Sequence, residues 1–294
     1  MAAGSLPAAG EALYDRPLRV MLVPSDGGTE EGTRADFEPL FDALTNMTGL
    51  TFEIRVGQSY ASVIEAIAAG LTDLAYMGTV SFLTASDRGP VELLAISEEN
   101  GNFFYYSGLF TREDSGIRTL ADIPGRTIVF SDPRSSSGFV YPLAHLLKNE
   151  IDPVRDARRI ILSGSHSNSL TALAEGRAEV AAAPFESYLK SVRQGAIDPR
   201  DIHIIAKSDP IPNPPIAANS ELPKAVLDAL REALHTVHRQ PGINPNMIRG
   251  HAGNIVDRYN AEVSPDLFVL ARQNMALIDD DYRGAVLRKA GRRN

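Results

Sequence analysis

Short apolar runs rich in β-formers alternate with segments of helical period, and this alternation limits the fold more than any other feature. Leu18 to Val23 reads as a strand, Phe37 to Met47 as a helix, Thr51 to Val56 as a strand, Ser62 to Ala69 as a helix and Leu74 to Met77 as a strand. Strands joined through helices make the βαβ rhythm, which predicts a mostly parallel sheet covered by helices on both faces. Further strands are predicted at 93–96, 106–111, 127–130, 160–162, 180–183 and 202–206. The last third turns helical at 225–238, 265–276 and 281–290.

Two features divide these strands between two lobes. A turn-rich connection, "REDSGIRTLADIPGR", begins at Arg112, and a proline-rich stretch, "SDPIPNPPIAANSELP", follows the last clear strand. The expected architecture is therefore an α/β, two-lobed fold, each lobe a mostly parallel sheet flanked by helices. Lobe one comprises 17–111 and 206–294 and lobe two 112–205, with 1–16 as a disordered lead-in. Two crossover strands form the hinge, and a ligand is expected in the cleft between the lobes.

Composition narrows the partner. The 294-residue chain carries a net charge of -8, which argues against nucleic acid while leaving room for a local pocket that takes a small anion. It has no cysteine, so disulfides, thiolate catalysis and cysteine metal sites are excluded. The opening residues lack a signal-peptide pattern and no stretch reaches the ~18 apolar residues of a membrane span. The expectation is a cytosolic chain or a secreted one read after loss of its signal.

The chemistry concentrates at "SDPRSSSGF", Ser131 to Phe139. A strand precedes it and "VYPLAHLLKNE" follows with an apolar helical period, so Ser135, Ser136 and Ser137 fall at a helix N-terminus. One hydroxyl there caps one orphan N–H. Three hydroxyls, unpaired amides and the positive end of the helix dipole also suit a phosphate-like anion. Two more strand-to-helix turns have the same character: Ser59-Tyr60, where the phenol can reach the cleft, and Gly78-Thr79. Each by itself reads equally as a plain turn, but such turns converge at the C-terminal edges of parallel strands, where open α/β sheets bind ligands.

The stretches "SYASVIEAIAAGLTDLAYMGTVSFL", "FFYYSGLFTREDSGIRTLADIPGRTIVFSDPRSSSGF" and "GSHSNSLTALAEGRAEVAAAPFESY" resemble the periplasmic phosphonate-binding proteins, the phosphonate and phosphite receptors of ABC importers. The likeness runs from about Leu18 to about Leu222, and its most specific piece is Asp-Pro-x-Ser-Ser/Thr-Ser-Gly followed later by Gly-x-His, here Gly164-Ser165-His166. The resemblance implies a non-enzymatic, monomeric, two-lobed receptor without a cofactor. It would act in the periplasm, or tethered outside the cytoplasm, capturing a small phosphorus oxyanion and delivering it to an ABC permease. It also implies that Ser135, Ser136, Ser137, Tyr60 and His166 hold the anion, that Tyr106 lines the cleft with Tyr105 as the alternative, and that Glu186 sits where a carboxylate holds a ligand ammonium. A second carboxylate expected near "IPNPP" is replaced by Pro214, which speaks against an amino-bearing ligand.

Read by themselves, these residues keep their plainer alternatives: His166 as an exposed loop histidine, Glu186 as a first-turn acid favoured by the helix dipole, and Tyr105 and Tyr106 as ordinary strand residues. His235 and His238 share helical spacing without further metal ligands, and the Gly-rich loop Ser25 to Arg34 lacks the Lys-Ser/Thr of a P-loop, so it is expected to rim the cleft. Ser136, His166 and Asp132 can be drawn as a hydrolase triad, but no G-x-S-x-G elbow frames any of the serines. Other tetrahedral oxyanions, phosphate esters and a sensory role remain the alternatives to phosphonate transport.

Overall fold

The computed structural model describes residues 13–24, 26 and 29–292. In lobe one, β1 (Leu18–Leu22), α1 (Glu30–Thr48), β2 (Phe52–Val56), α2 (Tyr60–Ala68), β3 (Leu74–Tyr76) and α3 (Thr79–Ser86) realise the predicted βαβ units, and β4 (Val91–Glu98) follows. The chain crosses through β5 (Phe104–Tyr105) into β6 (Ser107–Arg112). Lobe two continues with β7 (Thr127–Phe130), a π-helical turn at Ser136–Val140 leading into α4 (Tyr141–Lys148), α5 (Pro153–Asp156), β8 (Arg159–Leu162), α6 (His166–Ala174), β9 (Val180–Pro184), α7 (Phe185–Arg193) and β10 (Ile202–Lys207). The return runs through β11 (Ile211–Pro212) to β12 (Pro215–Asn219), α8 (Lys224–Thr236) and β13 (Arg258–Asn260), and the chain ends in α9 (Val269–Ala276) and α10 (Asp280–Gly291).

Local chemistry explains the framework. Helix α1 is capped by Thr29, whose hydroxyl accepts from the Gly32 amide, and it stops at Gly49, which takes the left-handed conformation with φ 72°. Its buried Phe37, Leu40, Phe41 and Leu44 form one stripe at helical spacing. Strand β1 alternates buried and half-buried positions, so Leu18, Val20 and Leu22 join that stripe and the α8 residues Val226, Leu230 and Leu234 in one core layer. A second layer packs α6 and α7 on β7 and β9 through Phe110, Val129, Leu170, Leu173 and Tyr188. The third cluster runs through both lobes, joining Val63, Ile67 and Leu83 to Phe130, Phe139, Leu143 and Val286.

Two sheets result, ordered β13-β4-β12-β3-β1-β2 and β10-β6-β9-β7-β8, with β5 and β11 paired as a separate hinge ribbon. The sheets are mixed where the rhythm predicts mostly parallel ones. β1 pairs in parallel with β2 and β3, and β7 with β8 and β9, whereas β12, β13, β6 and β10 pair antiparallel with their neighbours. The antiparallel strands lie beside the crossings, where the chain enters one lobe and leaves the other. This also moves the boundary: β6 and β10 both belong to the second sheet, so the crossings fall at 99–106 and 208–214, with Phe104 and Tyr105 bridged to Pro212 and Ile211.

The termini differ from expectation as well. Of the proposed lead-in, residues 1–12 lie outside the described residues, but Arg16 is held by Asp73 at 2.7 and 2.8 Å, and Leu13 and Tyr14 pack on the lobe-one core. At the other end, α10 leaves lobe one and packs on lobe two: the Tyr282 phenol donates to Asp152 and Lys289 Nζ donates to the Val154 carbonyl at 2.7 Å. The chain therefore spans the lobes three times, and 206–294 is not wholly a lobe-one segment. No helix among the described residues is long and apolar enough to cross a membrane.

Candidate functional site

The C-terminal ends of β1, β3, β7 and β8, with the β2–α2 turn and the hinge, face a small chamber between the lobes. From the serine turn come Ser135, Ser136 and Ser137, which are 1%, 2% and 1% exposed. The Ser135 Oγ accepts from the Gly138 amide at 3.0 Å, and the Ser136 Oγ accepts from the Val80 amide of α3 at 2.9 Å, across the lobes. With its oxygen used as an acceptor, the Ser136 hydroxyl keeps a proton to donate. A Cβ on Gly138 would stand 1.8 Å from the Ser131 Oγ and 3.0 Å from the His166 Cδ2, so the turn closes this tightly only on glycine. The π-turn widens the first helical turn here, a distortion common at functional sites.

His166 opens α6 and is 1% exposed. Its Nε2 lies 3.1 Å from the Ser135 Oγ, and its Nδ1 lies 3.4 Å from Asp26, a residue of the Gly-rich loop after β1. Asp26 also accepts from the Ser187 hydroxyl at 2.6 Å, stands 3.7 Å from Lys190 Nζ, and offers its carbonyl to Ser167. Burial alone would raise the Asp26 carboxyl, but the hydrogen bonds to His166 and Ser187 and the nearby His251 hold it below the usual carboxylate range. The loop expected to rim the cleft thus inserts a carboxylate between the lobes.

Tyr60 begins α2, which is capped by a reciprocal Ser59–Ser62 box. Its phenol oxygen, like that of Tyr76 at the end of β3, is buried without a hydrogen-bond partner among the described residues. Burial raises both phenols well above their ordinary range, so they remain O–H donors; the Ser135 hydroxyl stands near enough to Tyr60 to oppose the rise, but without the geometry of a hydrogen bond. Tyr105, Gly78, Pro214 and His251 complete the lining. Free volume in the closed chamber is about 10 Å³, roughly the room of one water, and the chamber shares Val23 and Tyr76 with a neighbouring basin of about 440 Å³ lined by Asp26, Asp36 and Lys190. Among the described residues, no lysine or arginine lines the chamber itself.

Of the residues singled out from sequence, Ser135, Ser136, Ser137, Tyr60, His166, Gly78 and Tyr105 meet in this chamber. Tyr106 does not: it lies past the hinge bridge, with Lys207 Nζ 3.4 Å from its ring centroid. Thr79 is buried beside the chamber, with its hydroxyl committed to the Pro212 carbonyl of the hinge at 2.8 Å. Glu186 lines an adjoining groove with Glu99, Arg193 and Arg249, where burial first, and then Glu99 and Asp26, push its carboxyl up to about 7. The drawn triad does not assemble either, because Asp132 accepts from the Arg134 amide while His166 pairs with Ser135 and Asp26. Sequence reasoning missed Asp26, Tyr76 and His251. Tyr76 follows an ordinary strand pattern, and the other two lie in Gly-rich turns with no motif around them.

Residues 28–250 match the family described as ABC transporter, phosphonate, periplasmic substrate-binding protein. The chain belongs to that family. Over 232 residues it is 29% identical to the phosphate-import protein PhnD of Mycolicibacterium smegmatis, covering 74% of this chain and 71% of that one. It is 23% identical over 218 residues to the phosphonates-binding periplasmic protein of Escherichia coli, covering 72% of this chain and 64% of the other. The solved binding-protein component of an ABC phosphonate transporter from Pseudomonas aeruginosa shares the fold, with a TM-score of 0.77 at 22% identity over 93% of this chain and 94% of that one. This receptor is thus a solute-binding component of an ABC importer, and the chamber lies in the cleft of a two-lobed periplasmic binding fold.

Proposed function

We propose that the chamber binds the tetrahedral head of a small phosphorus oxyanion, phosphonate, phosphite or phosphate in class, and that the protein delivers it as a monomer to an ABC permease outside the cytoplasm. The observation that carries this reading is the pair of partnerless phenols, Tyr60 and Tyr76, buried on the lobe-one side of the serine turn. A buried hydroxyl without a partner costs about 1–3 kcal/mol, and an anion with several acceptor oxygens removes that cost at both positions. Ser136 and Ser137 supply hydroxyls from lobe two, and the hydrogen-bonded Ser135–His166 pair stands beside them. A ligand held by both lobes stabilises the closed state through contacts that exist only there.

The chamber as closed here has less room than a phosphoryl head, so capture requires the lobes to part about the β5–β11 ribbon and to close on the ligand less tightly than in this structure. A substituent on phosphorus would extend past Tyr76 into the basin. The name of the Mycolicibacterium relative speaks for phosphate, and that of the Escherichia relative for phosphonates. With Pro214 in the lining, a carboxylate pair for a ligand ammonium is not assembled at this chamber.

The Asp26–His166–Ser135 line has the order of a hydrolytic triad, but the Ser135 oxygen is tied to the Gly138 amide as a helix cap. The arrangement orients His166 toward a bound anion, and no turnover is expected. The test is calorimetry with phosphite, methylphosphonate, 2-aminoethylphosphonate, phosphate and sulfate. Binding of one phosphorus oxyanion in the low-micromolar range or tighter is expected, and absence of heat with all of them would overturn the reading.

A further inference from the structure

One chamber residue has no part in the assignments above. His251 sits on the turn between α8 and β13, is 6% exposed, lines the chamber, and carries a buried Nε2 with no partner among the described residues. Its ring lies 4.8 Å from the Tyr105 ring and 5.7 Å, edge-on, from that of His166. The turn that presents it is strained: Ala252 has φ 57°, a left-handed conformation rarely adopted outside glycine. Gly253 has φ 71° and packs so closely that a Cβ would come 2.5 Å from Asp36. Such strain persists only where the surroundings over-determine it, and it gathers at ligand clamps.

We propose that His251 Nε2 accepts the proton of a P–OH group, so that the chamber selects singly protonated phosphorus oxyanions over sulfur oxyanions of the same shape. The inference rests on the oxyanion reading above. Several of the other polar groups are placed to donate: Ser136 accepts from the Val80 amide and keeps its proton, and the Tyr60 and Tyr76 phenols have protons without acceptors, whereas both His166 nitrogens are engaged by Ser135 and Asp26. The donors satisfy bare oxygens and leave a ligand hydroxyl in need of an acceptor. With no lysine or arginine in the lining and the Asp26 carboxylate just behind His166, the field favours one negative charge on the ligand over two.

The ionisation of His251 agrees with the geometry. Burial is the main cause that lowers it to about 4; Asp26 opposes this, while His166 and Lys190 add to it. The imidazole is therefore neutral near pH 7, with one ring nitrogen free to accept. The titratable and charged groups around it are Asp26 of the first loop, Asp36 of α1, Tyr76 of β3, Tyr105 of β5, His166 of α6, and Glu186, Lys190 and Arg193 of α7.

The test compares wild type, His251→Phe and His251→Gln by calorimetry with methylphosphonate and methanesulfonate, across the second ionisation of the phosphonate. As monoanions these ligands differ by one O–H. Wild type is expected to bind the hydrogen phosphonate about ten- to a hundredfold more tightly than the sulfonate, the effect of one hydrogen bond within a charged site, and to weaken as the second proton leaves. His251→Phe loses the preference, and His251→Gln, whose amide oxygen also accepts, keeps most of it. Glu186 titrates in the same range in all three proteins, so the difference between the profiles is the readout.

Wild-type binding that tightens as the proton leaves, or a His251→Phe variant that keeps the preference, overturns the assignment. Should His251→Phe fail to melt cooperatively, the wild-type profile and His251→Gln decide. Failure of wild type to bind any phosphorus oxyanion would instead sink the oxyanion reading on which this one stands, whereas phosphonate binding without pH preference sinks the His251 assignment alone.

Discussion

Tyr60→Phe separates a binding residue from a structural one by the signs of two effects. The substitution removes one oxygen from a side chain that is 2% exposed and otherwise preserves its packing. In the free protein that oxygen has no partner, so its loss relieves an unsatisfied polar group, and the unliganded protein should be unchanged or up to about 1 kcal/mol more stable. In the complex the same oxygen would donate to a charged acceptor, worth about 1.5–3 kcal/mol, so affinity should fall roughly ten- to a hundredfold. At a ligand concentration of 100 wild-type dissociation constants the wild type gains ~2.7 kcal/mol, whereas a variant weakened about thirtyfold gains only ~0.9 kcal/mol. Chemical denaturation with and without ligand, together with calorimetry, reads both terms. An affinity within about twofold of wild type, or a free protein destabilised by more than about 1 kcal/mol, would refute the reasoning, because either result means that the phenol serves the fold.

Two further outcomes test the framework. Gly138→Ala should cost about 1–3 kcal/mol by overpacking against Ser131 and should abolish anion binding by displacing the serine turn; Ser131→Gly in the same chain should restore part of the melting temperature. Asp73, 2% exposed, is held below the usual carboxylate range because hydrogen bonds from Arg16 and Arg19 outweigh burial, so its contribution is present above the unfolded carboxylate value of about 4 and is lost as pH falls below it. With both arginines partly solvated, Asp73→Asn should cost about 1–2 kcal/mol at neutral pH, and the gap to wild type in denaturant melts should shrink in acid.

Legibility of the site followed the range of the interactions. His166 stood out only through the Gly-x-His motif of the resemblance, whereas the serine turn, Tyr60 and Gly78 could be read because each opens a helix directly after a strand or its turn, a signal complete within a dozen residues. The two-lobed α/β class was legible for the same reason. Tyr106 was preferred over Tyr105 and the structure reverses the order: a strand sends neighbouring side chains to opposite faces, and which face meets the chamber depends on the β5–β11 bridge to Ile211 and Pro212. The lobe boundary was misplaced because β6 continues without a break in composition from the hinge, although its hydrogen bonds go to β9 and β10 in the second sheet.

Asp26, Tyr76 and His251 show the limit most clearly. Asp26 stands in a Gly-rich loop, Tyr76 in a strand and His251 in an irregular turn, and none is flanked by a pattern that distinguishes it. They reach the chamber because the chain crosses between lobes and returns, placing residues far apart in sequence around one enclosed point. By itself the sequence determined the helices, most strands and the serine turn at a helix start, since capping, periodicity and turn chemistry act over neighbouring residues. The lobe to which each strand belongs and the meeting of Tyr76 and His251 with the serine turn in one chamber were decided only by tertiary structure, because burial and partnerless polar atoms exist only once distant segments have packed together.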